Sequence, residues 1–151
     1  MWAMFEETGI FLVACRHGFI LLFYDIIQSG ELQEHYRAKY PLAITSKLIG
    51  LFGSDIAVGY DIGCAFASTI ASSPLIGSKA KEADVSFFVP TFHKHAHNRG
   101  CQVCWHPLYN TLASLEDFKT RERIFSMSNH LTSTTRFASK FHRQQAIEEH
   151  F

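Results

Sequence analysis

The run from Ile56 to Tyr60 is short and β-prone, ends on Asp61, and gives way to a helical face of Phe66, Ala67, Ile70 and Ala71 before Pro74. A strand, a turn and a helix in that order, followed by the apolar run VSFFVPTF (Val85 to Phe92), restrict the chain to the mixed α/β class. Asp61 falls at the carboxyl end of the strand, where ligand-binding groups collect in open sheets of this kind. Locally it has two readings. It is an N-cap that accepts bonds from free backbone N–H groups, or it is a metal-binding acid whose partners lie elsewhere in the chain.

The flanking segments supply the rest of such a fold. GIFLVAC and FILLFYDII, separated by Arg16, His17 and Gly18, predict a hairpin of two strands. The segment ELQEHYRAKY is polar without a clear period, after which Ile44, Leu48, Ile49 and Phe52 share one face of a helix expected over 41–52, with Pro41 in its first turn and Gly53 as its stop. Residues 77–84 read as a polar loop. A chain of 151 residues with 14 phenylalanines can bury a core without staples, so a single domain over 1–151 is expected. Its four cysteines (Cys15, Cys64, Cys101 and Cys104) form no secreted disulfide framework, which points to the nucleus or cytoplasm rather than to secretion. Arg16 and His17 interrupt the apolar runs near the amino end, and neither run approaches the roughly 20 residues of a membrane span.

Two later segments carry chemistry. FHKHAHNRGCQVCWH places His93, His95, His97 and His106 beside Cys101 and Cys104, imidazoles and thiols of the kind Zn²⁺ prefers. Cys101, Cys104 and His106 have spacings compatible with one metal, but no second cysteine pair completes a zinc knuckle, so hydrogen-bonding histidines remain the competing reading. Further on, Lys119, Arg121, Arg123, Arg136, Lys140 and Arg143 face a single acid, Glu122, over residues 119–143. Ile124, Phe125, Met127 and Leu131 recur at helical intervals, which puts Glu122 in the first turns of an amphipathic helix. The basic stretch is either a solvated face or a surface for a phosphate backbone.

Eight strings taken in order carry a family resemblance: ETGIFLVACRHGF (Glu7 to Phe19), SGEL (Ser29 to Leu32), KYPLA (Lys39 to Ala43), GYDIGC (Gly59 to Cys64), FHKHAHNRGCQ (Phe92 to Gln102), LED (Leu115 to Asp117), ERIFSMSN (Glu122 to Asn129) and FHRQQAI (Phe141 to Ile147). In this order they resemble the carboxy-terminal part of the transposase domain of the Kyakuja-Dileera-Zisupton (KDZ) family of fungal DNA transposons. The resemblance implies a partial RNase H-like (DDE transposase) fold, a mixed sheet flanked by helices with its initial strand missing. It also implies two-metal DNA strand cleavage and transfer with Mg²⁺ or Mn²⁺ held by three carboxylates. The family's second aspartate falls on Asp61 and its glutamate on Glu122, making these two both catalytic and metal-binding. His93, His97 and Cys101 meet the family's His-x3-His-x3-Cys pattern and are expected to orient the pocket rather than ligate its ions. The basic residues named above are expected to meet DNA.

Two departures from the pattern shape the expectation for this chain. The family's first catalytic aspartate has no match among these residues, Glu6 and Glu7 included, so a truncated domain that is inactive alone is expected. Lys119, in the string FKT, stands where the family usually has a glutamate flanked by glycine. The alternative function is a non-catalytic nuclear protein, derived from a transposase, that binds DNA or zinc.

Overall fold

The computed structural model describes residues 7–27, 38–113 and 115–151; the SGEL string and most of the polar segment after it lie outside the described residues. In chain order the elements are β1 (Glu7–Ala14), β2 (Ile20–Ile27), α1 (Lys39–Phe52), β3 (Ala57–Gly59), α2 (Gly63–Ala71), α3 (Gly77–Glu82), β4 (Ser86–Phe88), α4 (Arg99–Cys104), α5 (Thr120–Ser128), α6 (Leu131–Thr135) and α7 (Lys140–His150). Short 3₁₀ turns at Lys94–Ala96 and Pro107–Tyr109 flank α4. The architecture is mixed α/β, as the alternation of patterns predicts. The chain divides into two compact units, Met1–Gly30 with Thr120–Phe151, and Glu31–Lys119.

In the first unit β1 and β2 form the expected antiparallel hairpin, pairing Phe11 with Tyr24 and Leu12 with Phe23. The turn closes where Arg16, His17 and Gly18 were expected to make it, with the Cys15 N–H donating to the Phe19 carbonyl at 2.9 Å. α5 lies against β1, and the Thr120 hydroxyl donates to the Arg16 carbonyl at 3.1 Å. The continuous amphipathic helix expected from Ile124 to Leu131 is instead interrupted after Ser128. Ile124 and Ser128 are buried, but Met127 is 67% exposed. The cause is local competition for backbone groups. His130 Nδ1 bonds the Met127 carbonyl at 3.0 Å, and the Ser128 hydroxyl bonds back to the Ile124 carbonyl at 2.8 Å. α7 is tied to the hairpin by Arg143, whose guanidinium pairs with Asp25 and reaches the Gly9 carbonyl at 3.3 Å.

The second unit is built around a parallel pair. β3 runs beside β4 with Val58 opposite Phe87 and Gly59 opposite Phe88. A parallel pair needs a crossover, and α2 with α3 provides it. α1 forms as predicted, burying Pro41, Ile44 and Leu48 and ending at Gly53. Residues 77–82, expected to be loop, form α3. This six-residue helix has one buried side chain, Ala80, too little pattern to show a period in sequence. Its order comes from packing, because Ile76 and Ala80 complete a core with Phe66, Ile70 and Phe87. Phe66 meets both Tyr60 and Phe87 edge-on at 5.3 Å between ring centroids, a preferred aromatic geometry. Among the described residues no helix is long and apolar enough to cross a membrane.

Candidate functional site

GYDIGC folds as a strand end held on three sides. The Tyr60 N–H extends the pairing by donating to the Phe88 carbonyl at 2.9 Å, which fixes the backbone up to the residue before Asp61. Both glycines are required by close approach. A Cβ on Gly59 would lie 2.6 Å from the Cβ of Phe118, whose ring stacks on Phe88 at 5.3 Å. A Cβ on Gly63 would lie 2.9 Å from the Phe88 carbonyl oxygen. Asp61 is thus mounted on rigid backbone between two points where nothing larger than glycine fits.

The N-cap reading of Asp61 does not hold. α2 takes Ile62 as its N-cap, with no side-chain cap bond. The Asp61 carboxylate instead lies 3.3 Å from His93 Nε2, at side-chain exposures of 37% and 28%. His93 is positioned by the turn after Pro90, its N–H donating to the Pro90 carbonyl at 3.0 Å. An imidazole N–H at that distance can hold one oxygen of a carboxylate.

His97 and Cys101 meet a residue that sequence reasoning did not assign. His97 Nδ1 lies 3.4 Å from Cys64 Sγ and 3.3 Å from Cys101 Sγ, and the three ligand atoms fall within 4.8 Å of one another. α4 holds Cys101 in place, because Asn98 caps it by accepting the Cys101 N–H at 2.9 Å. Gln102 in turn donates to the His97 carbonyl at 2.7 Å. Burial, then the hydrogen bond and charge of Cys64, then the charge of Cys104, push the Cys101 thiol up to about 11. It is therefore no thiolate nucleophile at neutral pH.

The zinc set weighed from spacing, Cys101 with Cys104 and His106, is not assembled. Cys104 is exposed, and among the described residues neither it nor His106 joins a group of ligand atoms. His106 is 3% exposed, and its Nδ1 accepts the Leu108 N–H at 3.0 Å. That leaves the proton on Nε2, which is buried without a hydrogen-bond partner. Burial, and secondarily the charge of Lys94, lower the His106 pKa. An unfolded chain therefore takes up a proton near pH 6.5, about the ordinary value, while the folded chain does so only at lower pH. Stability contributed by neutral His106 is present above that value and is lost as pH falls below it. Thermal melts from pH 8 downward should show this acid limb, and His106→Asn, which keeps a capping acceptor but cannot titrate, should flatten it.

Of the remaining expected residues, Lys119 ends the second unit and the others belong to the first. Glu122 occupies the first turn of α5, a favourable place for an acid, with the Arg121 guanidinium 2.7 Å from its Oε1. Arg123, Arg136 and Lys140 are exposed, while Arg121 and Lys119 are half-buried. Lys119 closes the second unit, its backbone N–H bonded to Asp117 Oδ1 at 2.9 Å. Arg143 reaches a partner distant in sequence, Asp25. Its guanidinium is engaged by Asp25 and the Gly9 carbonyl at 15% exposure, so it holds the unit together.

These observations describe a mixed α/β protein with a carboxylate at a strand end and a histidine-cysteine segment beside it. The family model of the Kyakuja-Dileera-Zisupton transposase matches residues 1–151, and the chain belongs to that family. No curated protein and no solved structure matches it.

Proposed function

We propose that this chain is the metal- and DNA-binding part of a KDZ transposase domain of RNase H-like fold, with Asp61 and Glu122 as two of the carboxylates that hold Mg²⁺ or Mn²⁺. Membership of the family over residues 1–151 carries the reading. The placement of Asp61 at the carboxyl end of a parallel strand supports it. The donor set fits the ion, because carboxylate oxygens are hard ligands and Mg²⁺ is commonly held by one or two of them together with substrate phosphates. Asp61, at 37% exposure, is reachable by a hydrated ion. When bound, such ions activate an attacking oxygen and stabilise a leaving one in phosphoryl displacement.

The chain's own residues would orient and position. His93 holds the Asp61 carboxylate, Arg121 holds that of Glu122, and the exposed Arg123, Arg136 and Lys140 meet the DNA backbone without reading sequence. Action on chromosomal DNA would require the protein to reach the nucleus.

Duplex DNA binding followed by fluorescence anisotropy across a salt series tests the reading. The affinity should fall steeply with salt, and Arg123→Ala and Arg136→Ala should each make the log–log slope shallower by about one. Arg143→Ala should lower the melting temperature instead. Salt-independent binding, or none at low salt, would exclude the DNA interface.

A further inference from the structure

The His97 ring nitrogen faces more sulfur than it can satisfy. Nδ1 lies 3.4 Å from Cys64 Sγ and 3.3 Å from Cys101 Sγ. It carries either one lone pair or one hydrogen, so two good hydrogen bonds to two thiols are not available to it. The two thiols and the imidazole come from separate parts of the second unit. Cys64 lies in the first turn of α2, His97 ends a 3₁₀ turn, and Cys101 lies on α4. All three are half-buried. Three soft or borderline ligands from separate elements converge on one point, their ligand atoms within 4.8 Å of one another.

We infer that Cys64, His97 and Cys101 bind a single Zn²⁺ ion that fastens the strand-end turn of Asp61 to the segment carrying His93. Zn–S and Zn–N bonds of ordinary length at a tetrahedral angle put sulfur and nitrogen about 3.6 Å apart, close to the separations here. Two thiolates and an imidazole favour zinc over Mg²⁺ or Mn²⁺, which separates this site from the carboxylates. The fourth position is open to water. Binding the ion releases two thiol protons, and its positive charge offsets the repulsion between the two thiolates so formed.

The position of the ion gives it a structural consequence. Cys64 follows Asp61 by three residues and His97 follows His93 by four. An ion joining Cys64 to His97 therefore braces the backbone on both sides of the Asp61–His93 contact, linking a soft-metal site to the geometry of a hard one. The inference does not depend on Glu122 or on DNA binding.

Metal-stripped protein titrated with Co²⁺ provides the test. One equivalent should bind with tetrahedral visible bands and near-ultraviolet thiolate-to-metal absorption, and Zn²⁺ should displace it. Cys64→Ser and Cys101→Ser should each remove about half of the thiolate absorption, since each deletes one of two sulfurs, and weaken binding at least tenfold. Cys104→Ser should leave both unchanged. Alkylation of the unmutated chain guards against variants that fail to fold: Zn²⁺ should protect Cys64 and Cys101 and leave Cys104 reactive. Absence of thiolate bands in the unmutated chain, or protection of Cys104 in place of Cys64, would overturn the assignment.

Discussion

Phe88→Ala should destabilise the second unit by about 3–5 kcal/mol, the usual loss when a buried phenylalanine is truncated, and lower the melting temperature by roughly 10 °C or more. Phe88 is only 1% exposed. Its ring stacks on Phe118, and its carbonyl both accepts the Tyr60 N–H and lies against Gly63. Removing the ring leaves a void that neighbouring strands cannot close, because β4 is held on one side by β3 and continues through Val89, whose N–H is bonded to the Trp105 carbonyl at 2.9 Å. Leu75→Ala is the natural contrast. Leu75 is 82% exposed, so its truncation should change stability by less than about 0.5 kcal/mol. Denaturant unfolding of the two variants checks the difference. Equal effects would mean that the β3–β4 pair is not the core of this unit.

How far the sequence carries these conclusions depends on the range of the interactions. Strands and helices with their own period are legible: the hairpin around Arg16–Gly18, the helix ending at Gly53 and the helical face of Phe66 and Ile70 all form as their patterns predict. α3 is not legible, because Ala80 is its single buried residue and packing with Phe66, Ile70 and Phe87 fixes it. The helix expected to run to Leu131 ends early because Ser128 and His130 bond to backbone carbonyls that a period cannot reveal.

The same distinction governs the site. His97 and Cys101 stand out in a dense local string, and the i, i+4 spacing brings them together. Cys64 is 33 residues from His97 and sits among small apolar residues, with no local signal that it belongs to them. Only the fold joins them. Spacing instead suggested Cys104 and His106, but Cys104 is exposed and His106 spends its lone pair on the Leu108 N–H. Arg143 shows the converse. In sequence it is one of six cations, and its pairing with Asp25, 118 residues away, is visible only in three dimensions.

The proposed sharing of one hard divalent ion by Asp61 and Glu122 is tested most directly by Mn²⁺ binding to the protein, read by electron paramagnetic resonance after one equivalent of Zn²⁺ has been supplied. A single equivalent fills the thiol site, which prefers the softer ion, and leaves the carboxylates to the Mn²⁺, so failure of either assignment is separately visible. Asp61→Asn and Glu122→Gln should each weaken Mn²⁺ at least tenfold, about 1.4 kcal/mol. The double variant should be little worse than either single one, because residues sharing one ion are coupled rather than additive. Full Mn²⁺ affinity in either single variant, or losses that simply add in the double variant, would contradict a shared ion.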